Sequence, residues 1–405
     1  MSTTPPARGR AVLVAAALGG TLFLATAALP NVGLFDRDQV GDTPLYRSYG
    51  DAVLDGRVPY RDLYVEYPPG ALPAFVAAAP GGAGYATRFK LLMCVLGIAL
   101  TSLVALTAEA AGARPARIVG ASAFVGLAPA ALGPVFLVNY DLWPAFLTAA
   151  ALALVVRGRG TIGLVVLAGA VAAKVYPLVL LPLALLHLRV RSGTRAAWTS
   201  AAAFAAALAA IVLPFFVLAP GAVGFDLSVA ARRPLQIESL GSSFLLAAHQ
   251  LGLYAPRVDS RYNSQNLGGS LPDALAVASS AALLLTLAAV WIAFARRPNG
   301  PERLLVASAA AVTAAVALGK VLSPQFLIWL VPLVALVPAR RLPVPHALLA
   351  VALALTHVWF PSRYGDVTGL GAIGWVVLAR DLVLVALLAT LVVSLAANAE
   401  ARKAA

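Results

Sequence analysis

The chain has 405 residues, of which 61% are hydrophobic and 12% are charged. Soluble domains carry about 25% charged residues, so this composition excludes an ordinary soluble protein and indicates a polytopic membrane protein. The net charge of +13 does not indicate a nucleic-acid partner, because the basic residues lie in short clusters between apolar runs. The single cysteine, Cys94, excludes an internal disulfide.

The apolar runs are continuous, and several approach the roughly 20 residues that a helix needs to cross the hydrocarbon core. Continuous runs favour helices over the alternating strands of a membrane β-barrel. We therefore predict an all-α, polytopic integral membrane protein that forms one multi-pass domain over residues 1–405. The expected number of transmembrane helices is about 12.

Basic clusters occupy every second connection between the runs, and the positive-inside rule assigns such connections to the cytoplasm. The intervening connections are then extracytoplasmic, and both termini are cytoplasmic. The arginine-rich, lysine-poor composition is typical of a GC-rich bacterium, so we expect a bacterial plasma membrane. The clusters are Arg8/Arg10, Arg114/Arg117, Arg157/Arg159, Arg189/Arg191/Arg195, Arg296/Arg297/Arg303, Arg340/Arg341 and Arg402/Lys403.

The first predicted span covers residues 11–30. A signal peptide is the alternative, because Arg8 and Arg10 precede an apolar core and Ala25-Thr26-Ala27 resembles a cleavage site. The apolar core is longer than that of a usual signal peptide, which favours a retained span. Both interpretations place residues 31–83 outside as the first extracytoplasmic loop.

This loop is the most acidic part of the chain, since residues 35–70 hold seven of the seventeen acidic residues. A helix is predicted over residues 43–55, with Thr43 as its cap, Pro44 at the first helical position and Gly56 as its stop. Its aromatic and apolar face suits a helix that lies in the membrane interface. Residues 70–80 are too short to span and form a second interfacial segment.

The remaining runs complete the predicted topology. Residues 160–188 have arginines at both ends, so we predict two short helices with their apex near Lys174 and Pro177. Residues 221–270 form the second large extracytoplasmic loop, with a polar, turn-rich tail. The other predicted spans are 86–108, 118–134, 142–156, 198–219, 271–295, 304–321, 324–337, 344–360 and a final span that ends near Ala397.

The predicted topology collects ionisable residues on the outward side. Lys174 and Lys320 are the lysines flanked on both sides by long apolar runs, and such residues are functional candidates by default. A salt bridge or a helix-end role is the structural alternative for each lysine. The outward set comprises Asp42, Glu66, Asp141, Lys174, Lys320, Gln325, Arg363 and the pair Arg232/Arg233.

Outward carboxylates with buried cations suit transfer from a lipid-phosphate donor. Phosphate is a good leaving group, so fixed cations that stabilise its charge are sufficient. The acceptor hydroxyl is a poor nucleophile and needs a general base. One carboxylate with cations therefore suffices, whereas a glycosidase uses two carboxylates.

Several blocks of the chain resemble the bacterial GT-C glycosyltransferases of family 87. Asp42-Thr-Pro-Leu-Tyr46 resembles the family's first-loop pattern, and the resemblance extends from about residue 42 to residue 332. The other blocks are Gly56-Arg-Val-Pro-Tyr60-Arg-Asp62, Glu66-Tyr67-Pro68-Pro69, Tyr140-Asp141-Leu-Trp143-Pro144, Lys174-Val-Tyr176-Pro177 and Ser323-Pro324-Gln325 followed by Trp329.

The resemblance implies a GT-C-like fold and a polyprenyl-phosphate-mannose-dependent α-mannosyltransferase. It implies that Asp42 is the general base and that the active site is extracytoplasmic. The expected partners are a polyprenyl-phosphate sugar, a glycolipid or lipid-linked glycan acceptor and membrane lipids, with no nucleic acid, cofactor or metal. The candidate substrate-binding residues are Tyr46, Glu66, Tyr67, Asp141, Lys174, Tyr176, Arg233, Lys320, Gln325 and Arg363.

Alternatives stay open at this point. Asp42 is also placed to stabilise a helix N-terminus, and Asp36-Arg37-Asp38 has the spacing of a DxD metal motif. A transporter or flippase of lipid-linked sugars is a rival function, although no internal repeat is visible. A non-catalytic envelope-assembly subunit is a third possibility. The sequence does not fix the sugar, and an arabinose donor is compatible with it.

Overall fold

The computed structural model describes residues 5–29, 41–220, 233–261, 263–298, 300–338 and 343–397, and helices dominate these residues. The helices are α1 Pro5–Ala28, α2 Thr43–Leu54, α3 Leu72–Ala77, α4 Tyr85–Ala110, α5 Pro115–Leu132, α6 Val135–Val138, α7 Leu142–Val156, α8 Gly160–Ala173, α9 Leu181–Ser192, α10 Thr194–Leu218, α11 Leu240–Gln250, α12 Ser270–Ala295, α13 Pro301–Ala317, α14 Leu327–Ala335, α15 Val344–Trp359, α16 Tyr364–Thr368 and α17 Gly374–Ala397. Short 3₁₀ turns cover Pro69–Ala71, Tyr176–Leu180 and Pro324–Phe326.

Six of the described helices are long and apolar enough to cross a membrane. Their spans are Arg8–Ala28, Tyr85–Ala110, Pro115–Leu132, Thr194–Leu218, Ser270–Ala295 and Gly374–Ala396. Four further apolar helices are shorter than the roughly 20 residues of a full crossing. The helical, membrane-type architecture is therefore confirmed, whereas the predicted count of about 12 crossings is not.

The predicted division of residues 160–188 is confirmed. Helix α8 ends at Ala173, Lys174 has extended backbone angles of φ −162° and ψ 136°, and α9 begins at Leu181 after the 3₁₀ turn. The first loop packs directly on this apex, because a Cβ on Gly70 would lie 2.5 Å from backbone atoms of Ala172 and Ala173. A glycine at position 70 therefore lets the loop approach the end of α8.

The start of α2 corrects the predicted cap. Asp42, not Thr43, occupies the N-cap position, and no side chain caps the helix. Thr43 lies inside the first turn, and its Oγ1 donates a hydrogen bond to the Val138 carbonyl at 3.1 Å. The helix ends at Leu54, and Gly56 adopts φ +81°, as expected of a residue that stops a helix.

The second large loop contains a small sheet that the sequence interpretation missed. Strands β1 Leu235–Gln236, β2 Arg257–Arg261 and β3 Ser264–Gly268 form an antiparallel sheet in the order β1-β3-β2. The β2–β3 hairpin pairs Arg261 with Ser264, and Asn263 in its turn adopts φ +49°. The predicted all-α class is thus a helical fold with one small sheet.

The two predicted sets of connections lie at separate ends of the bundle. Connections assigned to the cytoplasm contact one another, and so do those assigned to the outside, while the sidedness itself stays a prediction. Contacts at the first end include Arg117–Glu302 and Arg157–Glu109, and contacts at the second include Thr43–Val138, Trp143–Gly70 and Gln236–Lys320.

Candidate active site

Asp42 lies at the start of α2, but its carboxylate makes no hydrogen bond to the helix backbone. Its Oδ2 instead accepts hydrogen bonds from the hydroxyls of Tyr46, at 3.3 Å, and Tyr67, at 3.1 Å. Asp42 Oδ1 accepts no hydrogen bond from the residues that the structure describes. The tyrosines therefore orient the carboxylate and leave one oxygen available, which a residue serving only as a helix cap would not require.

Aromatic rings hold the two tyrosines in place. Tyr46 is buried and stacks on Phe75, with ring centroids 4.5 Å apart. Tyr67 meets the edges of Tyr46 and Tyr140, at 5.6 and 5.0 Å. Burial, followed by the charge of Asp42, raises the pKa of Tyr67 above its ordinary range. The Tyr67 hydroxyl therefore stays protonated and remains a hydrogen-bond donor to Asp42.

Asp141 and Lys174 form a second polar centre at the apex of α8. Lys174 Nζ lies 2.7 Å from Asp141 Oδ1, and Trp329 Nε1 donates a hydrogen bond to the same oxygen at 2.7 Å. Asp141 is buried, and its Oδ2 has no hydrogen-bond partner among the described residues. The Lys174 side chain is 17% exposed, so this ion pair is not fully enclosed.

The ammonium of Lys174 is surrounded by aromatic rings. It lies 4.8 Å from the ring centroid of Tyr140, 4.9 Å from that of Phe326 and 5.0 Å from that of Trp329. Ring faces attract a cation and fix its position. Tyr176 stacks on Trp329 at 4.1 Å and supports this arrangement. Tyr140 therefore contacts Lys174 and also Tyr67, the tyrosine that donates to Asp42.

Glu66 connects the first loop to the hairpin of the second loop. Asn263 Nδ2 donates a hydrogen bond to Glu66 Oε2 at 3.3 Å. Burial raises the pKa of Glu66, the charge of Asp42 adds to this rise, and Arg233 opposes it. Glu66 therefore lies within electrostatic range of both Asp42 and Arg233.

Arg233 and Lys320 bring two positive charges near each other. The backbone carbonyl of Lys320 accepts a hydrogen bond from the Gln236 amide at 3.0 Å, which ties the start of β1 to this loop. Burial, followed by the charge of Arg233, lowers the pKa of Lys320. Burial also lowers the pKa of Arg233, and the charges of Glu66 and Glu238 oppose that fall.

Two predicted site residues, Arg363 and Gln325, lie beside residues that are near them in the sequence. Arg363 pairs with Asp366 at 3.1 Å, and more than half of each side chain is exposed, so this contact does not join Arg363 to the Asp42 group. Gln325 is half-buried beside Phe326, in the 3₁₀ turn that precedes α14. Asp36, Asp38 and Arg232 lie outside the described residues, so the DxD hypothesis stays a prediction.

Comparisons with known proteins give distant likenesses. No family model and no curated protein matches the chain. The archaeal oligosaccharyltransferase AglB of Archaeoglobus fulgidus, solved with an inhibitory peptide and a dolichol-phosphate, is 15% identical, with a TM-score of 0.46 over 96% of this chain and 55% of that one. The Archaeoglobus fulgidus oligosaccharyltransferase tethered to an acceptor peptide with the NVT sequon is 14% identical, with a TM-score of 0.41 over 96% and 54%.

The chain thus spans about half the length of each matched oligosaccharyltransferase. Both TM-scores lie below 0.5, so the GT-C-like fold and family 87 stay predictions.

Several residues of the site were not among those predicted from the sequence. Trp329 lies in a block that carries the resemblance, but its bond to Asp141 joins positions 188 residues apart and has no local signal. Tyr140 and Phe326 each neighbour a predicted residue, and their aromatic character was the available signal. Asn263 lies in the tail assigned as turn-rich, where an asparagine in a hairpin turn could have indicated its position.

Proposed function

We propose that this protein is a membrane glycosyltransferase that moves a sugar from a polyprenyl-phosphate donor to the hydroxyl of a glycolipid or lipid-linked glycan, with inversion. The observation that carries the proposal is the arrangement of Asp42. Its carboxylate makes no hydrogen bond to the backbone of the helix that it precedes, is held by two tyrosine hydroxyls, and keeps one oxygen that accepts no hydrogen bond from the described residues. This is the arrangement of an oriented general base.

In the proposed reaction, the acceptor oxygen attacks the anomeric carbon of the donor sugar. Asp42 Oδ1 takes the hydroxyl proton as the new carbon–oxygen bond forms. The bond between the anomeric carbon and the phosphate oxygen breaks, and polyprenyl phosphate leaves with its electron pair. A single displacement of this kind inverts the anomeric centre and needs no second carboxylate as nucleophile.

The departing phosphate requires positive charge, and the site offers three cations of different character. The charge of Lys174 is partly balanced by Asp141 at 2.7 Å, which suits it to positioning a phosphate oxygen. The charge of Arg233 contributes to the lowered pKa of Lys320, and a phosphate bound beside both cations would offset that repulsion. Such fixed cations stabilise a developing negative charge.

The sugar is proposed to be mannose, on the basis of the resemblance of the first loop to family 87. The site is proposed to face the extracytoplasmic side of a bacterial plasma membrane, because the seven basic clusters assigned to the cytoplasm lie in the other connections. Polyprenyl phosphate and acceptor lipid would reach it from the surrounding membrane.

Transfer by the purified protein in nanodiscs tests the proposal. The assay uses polyprenyl-phosphate-[³H]mannose and polyprenyl-phosphate-[³H]arabinose with a lipid extract as acceptor, and counts radioactivity in product. Asp42→Asn is expected to lower turnover by about 10²- to 10⁴-fold, the usual contribution of a general base. Asp55→Asn is the matched control, because Asp55 is an exposed acid at the other end of the same helix.

The rival function of transport gives a different result. A flippase would move a fluorescent polyprenyl-phosphate sugar across proteoliposomes without forming a glycosylated product. Full transfer by a correctly folded Asp42→Asn protein would overturn the proposed mechanism. Sugar-lipid translocation without any product would overturn the proposed activity.

A further inference from the structure

The hairpin of the second loop forms one wall of a cleft that the proposed mechanism does not use. The cleft has a volume of about 300 Å³, and Tyr364 of α16 faces the hairpin across it. This volume lies at the lower end of the range for ligand pockets. Its lining residues are Ser260, Asn263, Ser264, Gln265 and Tyr364.

The chemistry of this lining selects a class of ligand. Hydroxyl and carboxamide groups dominate it, and one tyrosine supplies an aromatic ring. Of the described residues that line the cleft, none is charged, which disfavours a phosphate, and none is aliphatic, which disfavours a lipid chain. Neutral donors and acceptors beside an aromatic ring suit a neutral carbohydrate, whose hydroxyls both donate and accept hydrogen bonds.

Two amide groups in the cleft keep hydrogen-bonding capacity. Gln265 Oε1 accepts a hydrogen bond from Ser260 Oγ at 2.7 Å, which fixes the amide plane. Asn263 Nδ2 donates to Glu66. Gln265 Nε2 and Asn263 Oδ1 form no further hydrogen bond with the residues that the structure describes. One donor and one acceptor are therefore oriented and available to a ligand.

Tyr364 is held firmly on the other side of the cleft. Its ring packs on Trp359, with centroids 6.2 Å apart, and meets the edge of Phe360 at 5.7 Å. Burial, followed by the charge of Glu238, raises the pKa of the Tyr364 hydroxyl above its ordinary range. A ring fixed from several directions presents the same face to each ligand, at little cost in conformational entropy.

The position of the cleft relates it to Asp42. Asn263 belongs to the cleft and bonds to Glu66, and Glu66 lies within electrostatic range of Asp42. Tyr67, the next residue in the chain, donates directly to the Asp42 carboxylate. The hairpin that lines the cleft therefore contacts the first loop at Glu66, next to the tyrosine that holds the Asp42 carboxylate.

We infer that the cleft between Tyr364 and the hairpin residues Ser260, Asn263, Ser264 and Gln265 binds the neutral sugar of the acceptor, and that Gln265 and Asn263 orient it. This inference rests on the proposed function, since it assigns the acceptor subsite of that reaction. It separates the acceptor from the cations Arg233 and Lys320, which are assigned to the donor phosphate.

Binding and kinetics test the inference separately. Saturation-transfer NMR on the full chain in nanodiscs, in the Asp42→Asn background, uses methyl α-D-mannopyranoside and methyl α-D-arabinofuranoside as probes. Gln265→Leu keeps the bulk of the side chain but removes its amide. Arg257→Gln is the matched control, because Arg257 is exposed and lies at the opposite end of the same hairpin.

The expected result is saturation transfer to at least one glycoside, lost in Gln265→Leu and kept in Arg257→Gln. In the transfer assay, Gln265→Leu is expected to raise the acceptor KM about two- to tenfold, the value of one neutral hydrogen bond, with an unchanged donor KM. Glycoside binding without any transfer would support the cleft and overturn the proposed function. Transfer with an unchanged acceptor KM in Gln265→Leu, or no glycoside binding by the parent protein, would overturn the cleft.

Discussion

Two pairs of opposite charges are buried in the bundle, and their surroundings differ. Asp141 immediately precedes α7 and Lys174 immediately follows α8, and the lysine side chain is 17% exposed. Arg380 and Asp381 are neighbours within α17, and their side chains are 0% and 1% exposed. Arg380 also donates to the backbone carbonyl of Glu238 at 2.7 Å and lies over the ring of Trp359.

The two ion pairs differ in exposure, because the Lys174 side chain is partly exposed and the Arg380 side chain is fully buried. The Lys174 pair lies at an apex between helices, with aromatic rings around its ammonium and a partly exposed lysine side chain. The Arg380 pair is enclosed by a satellite apolar core around Trp359, and its hydrogen bond ties α17 to the second loop. We therefore expect substitution of Lys174 to lower mainly turnover, and substitution of Arg380 to lower mainly the free energy of unfolding.

The largest stability effect is expected from Arg380→Met. Removing one partner of a buried ion pair leaves an uncompensated charge and costs about 3–5 kcal/mol in the free energy of unfolding. Thermal unfolding followed by tryptophan fluorescence measures this loss, and turnover per folded molecule should stay near that of the parent. The double variant Arg380→Met, Asp381→Leu should recover part of the stability, and a failure to recover any would contradict the ion-pair explanation.

Lys174→Met should reverse this pattern. Turnover is expected to fall by about 10²- to 10³-fold, as for other fixed groups that stabilise transition-state charge. The fall in melting temperature should be smaller than for Arg380→Met, because Lys174 is partly exposed. Lys174→Met with Asp141→Leu should regain stability without regaining turnover. Normal turnover in the double variant would assign Lys174 to structure alone.

Trp329→Phe should give an intermediate effect. The substitution keeps a ring near Lys174 and Tyr176 but removes the indole donor to Asp141 Oδ1. Loss of a hydrogen bond to a buried charged group is expected to lower the free energy of unfolding by about 1.5–3 kcal/mol. Thermal unfolding measures the loss of stability, and the transfer assay measures the loss of turnover. The control is Trp375→Phe, because Trp375 is 43% exposed, and equal losses in both variants would argue against the hydrogen bond.

The sequence anticipated the parts of the molecule that depend on local patterns. Long apolar runs placed most helices, and arginines at both ends of residues 160–188 located the Lys174 apex. Hydropathy could not show that Asp141 meets Trp329, because that contact depends on how separate helices pack. The hairpin was also missed, because β3 reads Ser-Gln-Asn-Leu-Gly and lacks the alternating apolar pattern of a typical strand.

The stability of the cluster around Arg380 should also depend on pH, because it includes Glu238, which lies in the connection before α11. Burial raises the pKa of Glu238 from its ordinary 4.5 to about 8. The folded state therefore holds this proton more tightly than the unfolded state, so the stabilisation is complete below about 4.5 and is lost as the pH rises through about 8. The melting temperature of the parent should fall over this interval, and that of Glu238→Gln should fall less.

The control is Asp55→Asn, which changes an exposed acid. Its melting temperature should fall with pH as much as that of the parent. If the melting temperatures of Glu238→Gln and the parent fall equally with pH, Glu238 does not titrate in this interval. If the substitution changes the pH dependence of turnover and not that of the melting temperature, Glu238 acts on catalysis together with Lys174.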